Sequence, residues 1–411
     1  MSKPFEISKH TVVDAFEQVK ANRGAAGVDR QSIAMFEENL KANLYKVWNR
    51  MSSGTYFPPP VKAVPIPKKS GGTRVLGVPT VTDRVAQGTV KLYLEPEIEP
   101  LFYSDSYGYR PGKGALDAVA VTRERCWRFN WLVEFDIVGL FDNIDHELLM
   151  EMVARHAKQR WVVLYIQRWL VAPFDDNGVI VKRTSGTPQG GVISPLLANL
   201  FLHYVFDDYM AAKFPFLPWA RYADDGVIHC KTKQQALDIK SKLEERFRQF
   251  KLELHPDKTK VVYCGGDIEI RKTENIAFDF LGYTFRPRSA KSKTGRLFTS
   301  CLPAISDKAK KEIRQAIRDW NLQSRMDLEI EDIADGANRK IRGWVNYYGK
   351  FYPSEMNMLL KYVNLCLCKW VKRKYKKHSS WRKAWRWLSR LSRKKPKLFY
   401  HWELGVRPST G

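Results

Sequence analysis

Residues 220–230 are apolar on both sides of the triplet Asp224-Asp225-Gly226. Acids that interrupt an otherwise buried stretch fit a tight hairpin, whose arms are covered while its turn stays open. A second apolar run, residues 131–136, is rich in Val, Leu and Phe and reads as a buried strand ending on Asp136, after which Asp145 caps a helix. Two rigid elements thus each bring a carboxylate to one end. Phosphoryl transfer asks for this arrangement, because two metal ions about 4 Å apart, bridged by aspartates, activate the attacking hydroxyl and hold the leaving group. A carboxylate beside Phe135 or Tyr222 is costly without a compensating cation. Taken alone, Asp-Asp-Gly is equally an ordinary turn.

The remaining pattern fills in a mixed chain. Helices are expected over residues 11–21, from Asp29 to about Met51, over 194–210 and over 234–250. Residues 61–67 and 73–78 alternate around Ser70-Gly71-Gly72 as a basic hairpin with Lys68 and Lys69 at its tip, and strands are expected at Leu252, Leu254 and 261–263. Composition turns to Arg, Lys, Ser and Gly over residues 286–296 and is helical and aromatic beyond, which places a domain boundary there.

The chain is 44% hydrophobic yet carries a net charge of +25, with 69 Lys+Arg against 44 Asp+Glu. That excess implies a polyanionic partner. Nucleic acid is expected and membrane is not, since the richest apolar segment, 162–174, is short and interrupted by Arg168. The charge is concentrated at one end: residues 361–411 hold 16 basic residues and one acid, Glu403, interleaved with Trp370, Trp381, Trp385, Trp387 and Trp402, a pattern suited to binding phosphates and stacking on bases. Residues 1–17 lack a basic start followed by an apolar stretch and carry Glu6, Asp14 and Glu17, so a cytoplasmic protein is expected. The six cysteines are scattered, with only Cys366 and Cys368 close together, and read as reduced structural thiols.

Residues 222–225 (YADD) resemble the Tyr-x-Asp-Asp box of reverse transcriptases, and residues 135–142 (FDIVGLFD) resemble the strand bearing their first metal ligand. Further blocks at 22–29 (NRGAAGVD), 66–79 (IPKKSGGTRVLGVP), 106–112 (SYGYRPG), 186–199 (GTPQGGVISPLLAN), 252–260 (LELHPDKTK), 278–285 (FDFLGYTF) and 341–348 (IRGWVNYY) resemble the reverse transcriptases encoded by group II introns, the last of them their maturase region. The resemblance implies an α+β right-hand polymerase. Fingers and palm with an antiparallel palm sheet would occupy residues 1–285, a helical thumb/maturase domain 286–370, and a basic Trp-rich nucleic-acid-binding tail 371–411. The longer members end in an endonuclease with paired cysteines, a spacing that does not follow Trp370 here, so DNA cleavage is not expected.

The resemblance also implies roles. Asp136 and Asp224, with the Ile137 carbonyl, would ligate two Mg2+ ions, and Asp225 is the adjacent acid of the catalytic set. Lys68 and Arg74 would hold the deoxynucleoside triphosphate, where a Lys charge beside an Arg fork suits phosphate oxygens, although exposed cations are also ordinary surface. Phe141 would sit under the sugar and reject a ribose hydroxyl, or be plain core. Gln189 would lie near the nucleotide and template, and Lys258, which resembles the basic residue of the family's sixth block, would bind substrate. Arg110, Arg342, Lys372, Arg373, Lys374, Lys376, Lys377, Arg382 and Arg386 would contact nucleic acid. The implied partners are group II intron RNA, an RNA template with a DNA or RNA primer, and target DNA, the protein both copying RNA into DNA and helping its intron to splice and retrohome. Two other readings are a related reverse transcriptase recruited to DNA repair or phage defence, and a non-catalytic RNA-binding splicing factor. Intact Asp136, Asp224, Lys68 and Arg74 argue against the second.

Overall fold

A computed structural model describes residues 3–67, 72–291, 294, 295 and 297–408. Lys68 lies outside the described residues. The strands are β1 (Val61–Pro67), β2 (Thr73–Val78), β3 (Trp131–Asp136), β4 (Phe174–Asp176), β5 (Val179–Val181), β6 (Trp219–Tyr222), β7 (Asp225–Cys230), β8 (Lys260–Tyr263), β9 (Phe278–Phe280), β10 (Tyr283–Lys291) and β11 (Leu297–Ile305). The chain divides into two compact units, Met1–Ala118 with Val133–Val261, and Val119–Leu132 with Val262–Gly411.

In the first unit the basic hairpin forms as expected, Lys62 opposite Val78 and Pro67 opposite Thr73. It belongs to a sheet of order β2-β1-β4-β5. The sheet that carries the acids has order β6-β7-β3-β8. β3 and β7 are its inner strands because both are apolar on alternating faces, a pattern that favours cover on two sides. Phe135 of β3 packs on Phe206 at 4.9 Å and near Phe247 at 6.1 Å, so the turn at residues 203–207, which follows the helix Ser194–Leu202, and the helix Lys233–Gln249 anchor on the strand that ends at Asp136. Thr232 is the N-cap of Lys233–Gln249, accepting from the Gln235 amide.

Three local expectations need revision. The stretch from Asp29 to Met51 is two helices, Ile33–Glu38 and Leu40–Ser52, broken at Asn39. Residues 194–210 are not one regular helix, since residues 203–207 form a π turn. Leu254 contributes only an isolated bridge to Ile137 rather than a strand.

The second unit contains the antiparallel sheet β11-β10-β9 and the helices Asp307–Arg318, Ile330–Tyr348, Pro353–Lys374, Trp381–Lys394 and Tyr400–Glu403. A boundary at 286–296 is corrected: those charged residues flank or form the β10–β11 hairpin, paired from Tyr283 with Ile305 to Lys291 with Leu297. Period-2 alternation lets Arg286 stay exposed while Phe285 is buried, so a polar stretch here is the open face of a ribbon and not a linker.

Nor are residues 371–411 a separate tail. Val371, Ala384, Leu388, Phe399 and Trp402 share one buried cluster with Ile313, Ile341 and Leu367. Trp370 and Trp402, expected at a binding surface, are fully buried. The Trp402 indole donates to Asn364 Oδ1 at 2.8 Å, and His401 Nε2 faces the same oxygen at 2.8 Å. Burial pushes His401 down to about 3, so it is neutral and donates too. Among the described residues no helix is long and apolar enough to cross a membrane. Trp402→Ala should destabilise the chain by about 3–5 kcal/mol, read as an earlier urea midpoint in circular dichroism; a superimposable curve would place Trp402 outside the core.

Candidate active site

Asp136 is held at the end of β3 by its own backbone. Its carbonyl accepts from the His255 amide at 2.8 Å, Ile137 bridges Leu254, and the Val138 amide donates to Glu253 at 2.9 Å. Gly139, at φ 53°, then turns the chain sharply into the short helix Leu140–Asn143. The second acid pair comes from the β6–β7 hairpin, where Tyr222 faces Asp225 and the loop is Ala223-Asp224. Ala223 takes φ 54°, a left-handed conformation that costs a non-glycine residue roughly 1–2 kcal/mol. Two glycines make the geometry possible. A Cβ on Gly226 would fall 2.1 Å from the Phe135 ring, and one on Gly108 would fall 2.4 Å from the Ala223 amide nitrogen.

The three acids act on one another electrostatically. Asp136 and Asp225 share a hydrogen bond, and the charges of both Asp224 and Asp136 bear on Asp225. Burial first, then those neighbouring carboxylates, push Asp225 up to about 7. Asp224 is raised as well, by burial and by Asp136, while Lys258 and Arg221 oppose the rise. The pair in direct contact is therefore Asp136 with Asp225, with Asp224 within electrostatic reach. The Lys258 ammonium forms a salt bridge with Asp136 Oδ2. Partial burial works against its charge, but the bond to Asp136 and the field of Asp225 and Asp224 raise it above the ordinary lysine range.

Behind the hairpin lies a buried ion pair. Arg221 donates to both oxygens of Asp207, at 2.8 and 2.6 Å, to Ser106 Oγ at 2.8 Å, and to Asn199 Oδ1 and the Ala223 carbonyl at 3.2 Å each. Asn199 in turn donates to the Gly108 carbonyl at 2.6 Å. Neither Arg221 nor Asp207 was singled out from the sequence. A charged residue inside an apolar strand was the available signal.

Around the acids, the Tyr109 ring lies 6.3 Å from Phe141 and 6.5 Å from Tyr222, and the Tyr109 hydroxyl, raised by burial, feels Asp224 and Arg74. Tyr109 sits in the 106–112 block but was overlooked there. Phe141 is half-buried and Arg74 exposed on β2. The loop bearing Gln189 joins them: Gly77 donates to the Gln189 carbonyl at 2.7 Å and Thr187 to the Phe141 carbonyl at 2.6 Å.

Two expected nucleic-acid contacts are spent internally. Arg110 donates to Glu99 Oε1 at 2.9 Å and to the Tyr103 and Ser106 carbonyls at 2.6 and 2.8 Å, with only 7% of its side chain exposed. Lys374 bonds the Leu328 carbonyl and Glu329, and its side chain is 12% exposed. In the second unit Arg342, Lys372, Arg373, Lys376, Lys377, Arg382 and Arg386 are exposed, Arg342 lying 5.2 Å over the Tyr400 ring.

Residues 66–285, more than half of the chain, match the family described as "Reverse transcriptase (RNA-dependent DNA polymerase)", and residues 310–401 match "Group II intron, maturase-specific domain". The chain belongs to the group II intron reverse transcriptases. It is 28% identical to the group II intron-encoded protein LtrA of Lactococcus lactis subsp. cremoris, over 82% of this chain and 68% of that protein. It is 30% identical to the protein YkfC of Escherichia coli (strain K12), over 62% of this chain and 74% of that one.

In this reverse transcriptase Asp136, Asp224 and Asp225 all lie in the first unit. Placing a methyl on Gly108 must displace the Ala223-Asp224 loop, and a misplacement of about 1 Å at a reacting centre costs on the order of a hundredfold in rate. Gly108→Ala should therefore slow primer extension by about that factor with circular dichroism unchanged. Extension at the native rate would mean that the loop position is not set there.

Proposed function

We propose that this reverse transcriptase and maturase extends a DNA or RNA primer on an RNA template, with Asp136, Asp224 and the Ile137 carbonyl as ligands for two Mg2+ ions. The convergence of Asp136, Asp224 and Asp225 on two rigid elements carries the reading. The donor set fits: carboxylate and carbonyl oxygens suit a hard divalent cation, and three neighbouring acids only partly offset by Lys258 and Arg221 favour binding positive charge. Asp136, Asp224 and the Ile137 carbonyl would hold the ions, whose chemistry when bound would be to offset the charge on the primer hydroxyl and on the leaving pyrophosphate.

The chain's own groups do the rest. Asp225, hydrogen-bonded to Asp136, keeps that carboxylate oriented. Lys258, more than half exposed and paired with Asp136, binds the substrate nucleotide. Arg74 and Lys68 grip the triphosphate. Gln189 supports the nucleotide against the template, and Phe141 blocks the ribose hydroxyl. The exposed cations Arg342, Lys372, Arg373, Lys376, Lys377, Arg382 and Arg386 hold intron RNA and target DNA during splicing and retrohoming, in a bacterial cytoplasm.

Asp224→Asn should abolish primer extension while leaving RNA affinity within about twofold, since phosphate contacts dominate that affinity. An unaltered extension rate refutes the ligand assignment. Phe141→Ala should raise ribonucleotide incorporation relative to deoxynucleotide by about tenfold or more, a pocket-contact effect. Constant selectivity in matched single-nucleotide extensions would remove Phe141 from the sugar site.

A further inference from the structure

Cys126, Cys264 and Cys301 are far apart in sequence and meet in the second unit. Their Sγ atoms all lie within 4.8 Å of one another, and all three residues are buried. Among the described residues this is the one group of three sulfur, imidazole or carboxylate ligands so close together. Each backbone is fixed by a different element. Cys126 follows the helix Ala115–Arg125 and donates to the Thr122 carbonyl at 2.9 Å, Cys264 follows β8 and donates to the Asn130 carbonyl at 2.7 Å, and Cys301 pairs with Pro287 in the β10–β11 ladder.

Three properties separate this cluster from ordinary buried thiols. First, the sulfurs converge as a triad. Tetrahedral zinc with Zn–S near 2.3 Å places its sulfurs about 3.8 Å apart, a contraction the side chains can reach by small rotations. A disulfide uses two sulfurs and leaves the third unexplained. Second, the cluster borders a cavity of about 340 Å3, lined by Cys126, Cys264, Trp127, Asn130, Arg271 and Ser300 among others. Third, the local charge suits an anionic centre. The guanidinium groups of Arg271 and Arg288 both act on Cys301, and the Arg271 Nε donates to the Gly265 carbonyl at 2.9 Å, which holds it at the cavity wall.

We propose that Cys126, Cys264 and Cys301 form a thiolate site for one thiophilic divalent cation, with Zn2+ the fitting occupant and a fourth coordination position open to the cavity. Uptake of Zn2+ forms three Zn–S bonds and releases to solvent the protons still held by the thiols, with no change of oxidation state. The product carries one negative charge, offset by Arg271 and Arg288. Three segments that sequence separates, the end of a helix, the turn after β8 and the β10–β11 hairpin, are then clipped together. The ion is independent of polymerase chemistry, because soft sulfur and not oxygen selects it.

The full chain, purified under reducing conditions without chelator, should contain about one zinc per molecule by mass spectrometry of the metal. After removal of zinc, Co2+ should produce a sulfur-to-cobalt charge-transfer band. Cys264→Ser should weaken zinc binding by roughly a hundredfold and remove the band. In case that variant folds poorly, the native chain provides a second measurement: alkylation of these cysteines should be slowed at least tenfold by Zn2+ and restored by chelator. Absence of both the metal and the band from the reduced native chain overturns the proposal. So does alkylation indifferent to zinc, or a disulfide between two of the three as the resting state.

Discussion

The ion pair between Arg221 and Asp207 governs where the Asp224 loop sits. Both side chains are fully buried, and burying two charges costs several kcal/mol per ion unless geometry and further hydrogen bonds offset it. Here the guanidinium is fully engaged, reaching Asp207, Ser106, Asn199 and the Ala223 carbonyl. Such a pair adds little net stability over an apolar replacement. What it supplies is position: the strained Ala223 turn is gripped from below by Arg221 and pressed from above by Gly108, so Asp224 and Asp225 are presented on a frame with little freedom. The π turn at residues 203–207 ends on the acid that receives the arginine, a common setting for such turns at functional sites.

The elements that local pattern controls were legible. β3 follows the apolar run from Trp131 to Asp136 residue for residue, the β6–β7 hairpin closes on the acids, and Asp145 caps the helix His146–His156 by accepting from Leu148. What stayed hidden depends on partners brought by the fold. Arg110 and Lys374 are indistinguishable in a sequence from cations that face solvent, yet Glu99 and Glu329 consume them. The charged run over residues 286–296 resembled a linker because composition carries no sign of which face a strand turns outward. Cys126, Cys264 and Cys301 looked scattered for the same reason: the spacing that matters is through space.

The count of 69 Lys and Arg residues therefore overstates the cations left for nucleic acid. Arg221, Arg110 and Lys374 are paired with Asp207, Glu99 and Glu329, and Arg288 is paired with Glu355 at 3.4 Å. The cations that remain exposed in the second unit are concentrated near the helix Trp381–Lys394, where Trp381 is 41% exposed and stacks on Trp385 while Ala384 and Leu388 face the core. One face of a single helix thus separates the two uses of its residues, packing inward and cations with an aromatic platform outward, which is the composition that binds a strand's phosphates and bases together.

The loop carrying Gln189 gives the first unit a mechanical property that no single residue has. Its Gln189 carbonyl is held by Gly77 of β2, three residues from Arg74, and Thr187 is held by the Phe141 carbonyl. Gly190, at φ 115°, would place a Cβ 2.5 Å from the Gly77 carbonyl, and Gly186, at φ 76°, would place one 2.5 Å from that of Phe141. Both ends of the loop are therefore bare-backbone contacts with no side chain to yield. A displacement of β2 is transmitted through this loop to the turn that follows Asp136, because close-packed backbone shifts as a unit instead of deforming gradually. The strand that carries Arg74 and the short helix that carries Phe141 are thereby tied to each other through backbone alone, at positions where any side chain would collide.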